Sequence, residues 1–378
     1  MKYPFLNLSS VNARYAEDLH LAAKRVIDSG RYIGGDEVNQ FNKELAAFCH
    51  APYAIGVSNG LDALRLILEG YKKIGRLHDG DEIIVPANTY IASILAVTHA
   101  GLSPVLTDPN PLSMNLDAEG IRSSLTERTR AIMPVHLYGR VAWDADIAHI
   151  VKKYNLLVIE DAAQAIGARA TTDGLYGSRI AGAIGHAGAL SFYPTKNLGA
   201  IGDAGAVITH DSQLAAAVTA LANYGSDVRY HNIYAGFNCR IDPIQAAMLR
   251  AKLPDTQAAN ARRFERAVAY NNVLNHPLIT KPLMSAAATD CIWHQYVIRV
   301  GNGLRDNLRR YLTENGVGTD IHYPVPPHLQ PCYTDLHHKP LPVTESLASE
   351  ILSLPIGDGT SVKDAAEIAR IINRFPLT

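Results

Sequence analysis

The stretch Leu156-Leu157-Val158-Ile159-Glu160-Asp161-Ala162-Ala163-Gln164 decides the fold. Four apolar residues without a polar break, followed by two acids, read as a strand buried on both faces, as in parallel sheets covered by helices. The pattern recurs. Apolar runs at Tyr53–Val57, Glu82–Val85, Pro104–Leu106, Arg130–Val135, Ala187–Phe192 and Gly205–Ile208 are interleaved with amphipathic stretches at Leu61–Tyr71, Ile147–Tyr154 and Gln213–Tyr224. Strand and helix in alternation predict a large α/β domain around a mostly parallel sheet. Past Pro254 the pattern changes to a polar helical stretch (Asp255–Asn275), a strand candidate (Ile292–Val300), a helix (Leu304–Asn315) and a closing helix (Val362–Phe375). The expected division is therefore 1–254 and 255–378, the second unit a smaller α/β domain.

Composition narrows the function. The 378 residues carry 35 Lys and Arg against 36 Asp and Glu, a net charge of −1, so no long-range field favours nucleic acid or an anionic membrane. Any phosphate must be held locally. Hydrophobic residues at 47% and charged residues at 19% suit a large packed core rather than disorder. The start, MKYPFLNLSS, lacks a signal-like apolar segment, and no later run is long enough to span a bilayer, so a cytoplasmic protein is expected. Cys49, Cys239, Cys291 and Cys332 show no metal-ligand or disulfide spacing, and no metal is expected.

In open parallel sheets, ligands gather beyond the carboxyl ends of the strands. Asp161 stands at such an end, where an Asp also serves as a plain helix N-cap. Lys196 follows the run Ala187–Phe192 and precedes Gly199, Gly202 and Gly205, in a loop a cofactor can approach closely. A lysine able to form a Schiff base and an acid facing a pyridinium nitrogen are what pyridoxal 5'-phosphate requires. Lys196 and Asp161 are the catalytic candidates. Ala163 is small enough to pack under the ring, and Gln164 is a donor for the ring's phenolic oxygen; both also suit an ordinary helix start. Ser58, Asn59 and Gly60 open an amphipathic helix whose first-turn amides would hold a phosphate, although an N-cap alone also explains them. Ser191 is a second phosphate ligand candidate. Tyr90, after a strand, either stacks on the ring opposite Ala163 or packs in the core.

These residues and others carry a resemblance. Asp161-Ala162-Ala163-Gln164, Ser191-Phe192-Tyr193-Pro194-Thr195-Lys196-Asn197-Leu198-Gly199, and Gly236-Phe237-Asn238-Cys239-Arg240-Ile241-Asp242 with Gln245-Ala246-Ala247 resemble the DegT/DnrJ/EryC1/StrS family of nucleotide-sugar aminotransferases over nearly the whole chain. The resemblance implies PLP fold type I, aspartate aminotransferase-like, and a homodimer with shared active sites in which Asn238 reaches the cofactor phosphate of the neighbouring subunit. One subgroup has histidine at the lysine position and acts as a dehydratase; Lys196 places the chain outside it. PANTYIASILAVT, PVHLYGR, NYGSDVRYHN and IHYPVPPHLQ look like the 3-aminotransferases of dTDP-3-keto-6-deoxyhexoses, implying L-glutamate as donor and an amino sugar destined for cell-surface glycans. The alternatives are a 4-keto nucleotide-sugar aminotransferase and a non-catalytic PLP-binding regulator. Tyr224, Arg229, Tyr230, His322, Tyr323 and His328 are the candidates for the nucleotide-linked ketosugar, with a structural role the competing explanation for each of the two histidines. Pro243 and Ile166 depart from the family pattern: the first is compatible with a helix's opening turn, the second is expected to alter sugar contacts.

Overall fold

The computed structural model describes residues 1–284, 288–334 and 340–377. The apolar runs become seven strands: β1 (Tyr53–Val57), β2 (Glu82–Pro86), β3 (Ser103–Thr107), β4 (Thr129–Ile132), β5 (Leu157–Asp161), β6 (Ala187–Ser191) and β7 (Gly205–Thr209). They form one sheet in the order β1-β7-β6-β5-β4-β2-β3. The pairs β2–β3, β2–β4, β4–β5 and β5–β6 are parallel. Only β7 runs against its neighbours, antiparallel to both β1 and β6. Every residue of β2, β5 and β7 is buried, which is why their sequences do not alternate. β4 ends before its apolar run does, because Pro134 has no N–H to continue a ladder.

Helices supply both covers. Those of the first half are α1 (Leu8–Ala13), α2 (Ala16–Ser29), α3 (Asp36–Cys49), α4 (Gly60–Lys73), α5 (Ile91–His99), α6 (Ala118–Ser124), α7 (Ala145–Tyr154), α8 (Ser212–Ala222) and α9 (Pro243–Lys252). Side-chain caps fix several starts: Asn59 for α4, Asp117 for α6, Asp144 for α7 and Asp211 for α8. Pro243 sits in the first turn of α9, as its fixed φ allows. One face of the sheet packs Leu64, Ile67, Ile94 and Leu214 against Leu157, Ile159 and Val207. The other packs Phe41, Leu45 and Leu249 against Leu190 and Ile208. Between α8 and α9 a short hairpin, β8 (Ser226–Val228) with β9 (His231–Asn232), projects from the body.

A second sheet, β10 (Ile279–Thr280), β11 (Tyr296–Val300) and β12 (Ile351–Leu354), is antiparallel. It carries α10 (Thr256–Val273), α11 (Arg305–Glu314), α12 (Pro342–Glu350) and α13 (Val362–Ile372). Its core centres on Tyr270, stacked on Tyr296 at 4.7 Å, with Trp293 5.5 Å from Tyr296. The strand candidate Ile292–Val300 shortens to β11 because the amides of Ile292 and Gln295 bond instead to Gly139 and Tyr138 of the first unit. The first residues join the second unit too: Tyr3 pairs with Gly316 and Gly318 before the chain crosses to α1. Among the described residues, no helix is long and apolar enough to cross a membrane.

At the end of β5, alternation sends Glu160 and Asp161 to opposite faces. Glu160 is fully buried and its carboxylate accepts four hydrogen bonds: from His136 Nε2 (2.8 Å) and from the amides of Gly182 (2.7 Å), Ile184 (2.9 Å) and Gly185 (2.8 Å). His136 Nδ1 accepts from the Ala142 amide, so the ring's proton is on Nε2 and a neutral imidazole satisfies the network. In Glu160→Gln an N–H₂ would face converging N–H donors. The expected cost is about 2–5 kcal/mol of unfolding free energy, measured by denaturant titration; a loss under about 1 kcal/mol, the scale of a surface pair, would refute this.

Candidate active site

Because β7 is reversed, its first residue lies at the same sheet edge as the last residues of its parallel neighbours. Ser58, Tyr90, Asp161, Ser191 and the Lys196 loop follow from that edge, where such sheets bind ligands. Asp161 is buried and its carboxylate is oriented by two donors, the Ser93 hydroxyl on Oδ2 at 2.7 Å and the Ala163 amide on Oδ1 at 3.1 Å. Ser93 in turn shares a hydrogen with Thr89 Oγ1 at 2.8 Å. Neither residue was singled out from sequence, although Ser93 lies three positions past Tyr90, where an N-terminal helical turn brings side chains together.

Lys196 lies half-buried in the loop between β6 and β7. Burial pulls its amine down to about 8, partly opposed by the Asp161 charge. The loop is tied by bonds to neutral acceptors: Asn197 Nδ2 to Asn260 Oδ1 (2.8 Å) and the Ile292 carbonyl (3.1 Å), and Lys252 Nζ to the Gly199 carbonyl (2.7 Å). His294, whose Nδ1 is 3.1 Å from Asn197 Oδ1, is held well below its ordinary value by burial and then by the Lys196 charge. A neutral histidine beside a partly neutral lysine avoids stacking two cations in one cavity.

The turn before α4 forms a cradle. Asn59 caps the helix through the Asp62 amide at 2.8 Å, while the first-turn amides have no intrahelical acceptor. A Cβ on Gly60 would lie 2.8 Å from Ser191 Cβ, and one on Gly205 would lie 2.4 Å from the Asn59 carbonyl. Only glycine permits this approach, which puts the Ser191 side chain beside the helix N-terminus. The Ser58 hydroxyl donates to Asp62 at 2.5 Å. N-cap and anion cradle are therefore compatible functions of one turn.

Above the floor, Tyr90 is exposed rather than packed in the core, its ring 5.1 Å from that of Tyr323. Gln164 Nε2 donates to Tyr323 Oη at 3.0 Å and its Oε1 accepts the Tyr138 amide at 2.6 Å, so one amide hydrogen remains for a ligand. The Tyr138 hydroxyl donates to the His322 carbonyl at 2.5 Å. His322 Nδ1 lies 2.8 Å from Ser353 Oγ. His328 is not brought here: it is buried, with Nε2 3.3 Å from Glu345 Oε1, which fits the structural role. Tyr224, Arg229 and Tyr230 lie on or beside the β8–β9 hairpin, where Arg229 donates to Tyr230 Oη at 3.0 Å. Asn238 is exposed, and Cys239 next to it accepts the Ser58 amide. Ile166 is buried in the core with Phe41 and Leu249, which lends no support to the expectation that it alters sugar contacts.

A half-buried lysine of lowered pKa, an oriented carboxylate and a glycine-built anion cradle at one sheet edge fit a pyridoxal phosphate. The DegT/DnrJ/EryC1/StrS aminotransferase family profile matches residues 14–373. The dTDP-3-amino-3,6-dideoxy-alpha-D-galactopyranose transaminase of Aneurinibacillus thermoaerophilus is 44% identical over 372 residues, 98% of this chain and 99% of the relative. The structure of S. venezuelae DesV in complex with a ketimine intermediate superposes with a TM-score of 0.91 at 41% identity, covering 98% of each chain. That of ntda from Bacillus subtilis with bound cofactor PMP gives 0.88 at 32% identity, covering 99% of this chain and 86% of the other.

The Lys196 amine must be neutral to attack an aldehyde, and a lowered ammonium pKa means it becomes so above about 8. Capture of pyridoxal phosphate by cofactor-free protein, followed by absorbance, should therefore accelerate nearly tenfold per pH unit between about pH 6 and pH 7.5 and level off above about 8. A rise continuing to about pH 10, the range of a solvated lysine, would contradict the assigned environment.

Proposed function

The chain belongs to the DegT/DnrJ/EryC1/StrS aminotransferase family, and from that membership we propose that it moves an amino group from L-glutamate to C3 of a dTDP-3-keto-6-deoxyhexose, yielding the dTDP-3-amino-3,6-dideoxyhexose. It is a PLP-dependent nucleotide-sugar aminotransferase. The observation that carries the reading is the convergence of Lys196 and Asp161 at one sheet edge, with the Gly60–Ser191 cradle beside them. When bound, the cofactor supplies an electron sink for a substrate carbon that has lost its proton.

The chain's own groups do the rest. Lys196 Nζ, neutral in part near pH 7, takes up that proton and returns it. Asp161, fixed by Ser93 and Ala163, holds negative charge toward the ring nitrogen. Ser191 and the amides of the Ser58–Leu61 turn would hold the phosphate, and Tyr90, Ala163 and Gln164 would hold the ring. Tyr323 and His322 meet the sugar at the cleft mouth. Support for C3 comes from the Aneurinibacillus relative, whose name places the amine there, and from the PANTYIAS and IHYPVPPH segments.

The same reading makes the enzyme a cytoplasmic homodimer with composite sites, without nucleic acid or membrane as a partner. Val228, Tyr230 and Ile233 of the hairpin region are 63%, 86% and 45% exposed, as expected of a prong that a second copy covers. Asn238 of the partner subunit then reaches the phosphate cradle, and Tyr224, Arg229 and Tyr230 reach the neighbour's nucleotide sugar.

Freshly generated 3-keto and 4-keto dTDP sugars, supplied separately with L-glutamate, should give a new amine at C3 by NMR; amination only at C4 would overturn the regiochemistry. Mixing inactive Lys196→Ala and Asn238→Ala subunits should restore part of the activity through hybrids carrying one intact site. No recovery after verified subunit exchange would place each site within one chain.

A further inference from the structure

Beside the Lys196 loop a cleft of about 230 Å³ opens between the N-terminal arm and the second unit, with Thr195, Arg263, His294, Gln295, His322 and Gly357 in its lining. Arg263 also lines a smaller cavity together with Lys196 itself, so its guanidinium flanks the lysine loop. It is 6% exposed. One of its terminal nitrogens donates to the carbonyls of Trp293 (3.2 Å) and His294 (3.3 Å). No carboxylate among the described residues is hydrogen-bonded to it.

The nearest acids are committed elsewhere. Asp358 binds Arg262 at 3.1 Å and Arg266 at 2.9 Å, and Asp255 binds Arg262 at 2.8 Å. Across the lysine loop Lys252, 5% exposed, is hydrogen-bonded among the described residues to neutral partners, Asn12 Oδ1 at 2.6 Å and the Gly199 carbonyl at 2.7 Å. Asp161 is already engaged by Ser93 and Ala163, and Asp320 stands half-exposed in the cleft lining. Lys196, Lys252, Arg262, Arg263 and Arg266 thus share these four acids, and Arg263 is hydrogen-bonded to none of them. A buried charge without a hydrogen-bonded counterion is costly, and burial, opposed by the Asp358 charge and reinforced by Arg266 and Arg262, pulls Arg263 down to about 10. Space has been left beside it: a Cβ on Gly357 would sit 3.8 Å from the other terminal nitrogen of Arg263 and 3.0 Å from Leu6 Cδ1.

We propose that this cleft is the donor subsite, with the free side of the Arg263 guanidinium binding a carboxylate of the amino acid that supplies nitrogen. The inference rests on the reading of the donor as L-glutamate, an amino dicarboxylate. A planar fork suits a carboxylate, and His294 and His322, both kept neutral by burial, add no competing charge. The diphosphate of the sugar nucleotide is the other anion in the reaction. The cleft's modest volume and Asp320 favour the smaller, singly charged group.

The test titrates holoenzyme calorimetrically with glutarate, which carries both carboxylates but no amine to react, and separately with dTDP. Wild type should bind glutarate, and Arg263→Gln should bind it roughly tenfold to a hundredfold more weakly with dTDP affinity unchanged. Equal glutarate affinity in the two proteins overturns the Arg263 assignment and leaves the donor reading standing. Absence of glutarate binding to wild type overturns both. A variant that loses dTDP and keeps glutarate assigns the guanidinium to the diphosphate instead. If Arg263→Gln does not fold, Arg263→Lys, which keeps charge but not the fork, should show a weakened glutarate affinity, and a crystal structure of wild-type holoenzyme with glutarate locates the carboxylate. Its placement away from Arg263 would overturn the proposal.

Discussion

The buried carboxylate of Glu160 is the constraint on which the rest of the site depends. Four donors from two separate loops converge on it, and the residue next in the chain is Asp161. Through His136 it fixes the start of the loop that carries Tyr138, whose amide holds Gln164 and whose hydroxyl holds the His322 carbonyl. The cofactor's acid, the glutamine beside it and a link to the second unit therefore inherit their positions from one satisfied acceptor. A half-satisfied acid there would cost more than an apolar residue, so the network holds together or fails together.

Charge is distributed unevenly across the floor. On the Ser93 side, Asp161 sits among hydroxyl and amide donors that stabilise an anion. On the α10 side, Lys196, Lys252 and Arg263 are enclosed with mainly neutral partners. Desolvation lowers the first two amines to about 8. A lysine whose ammonium is lowered to about 8 is cheaper to enclose than one that keeps its ordinary value, and the neutral fraction this gives Lys196 is what makes it a nucleophile.

Strand-end chemistry was legible in the sequence because it is local. Asp161, Lys196, Ser191 and the Ser58–Gly60 turn each follow an apolar run, and one sheet edge collects them. What could not be read there depends on pairing at long range. Ser93 meets Asp161 across 68 residues, and Asn197 meets Asn260 and Ile292 across 63 and 95. Lys252 reaches Asn12 across 240. The segment Ile292–Gln295 has strand-like composition, but its amides are taken by Tyr138 and Gly139, an interaction that composition does not encode. The departure at Ile166 suggests altered sugar contacts, whereas its surroundings are Phe41 and Leu249.

The reversal of β7 has a consequence for the order in which the chain assembles. β6 and β7 are successive antiparallel strands, so the lysine loop closes over a short span of chain. The edge strand β1 joins β7 only by spanning the greater part of the sheet's sequence, from Val57 to Gly205. Closure entropy makes near neighbours pair before distant ones. The lysine loop is thus shaped early and its cradle late, since Gly60 meets Ser191 only when β1 docks. The docking that completes the sheet is therefore also the event that completes the anion cradle.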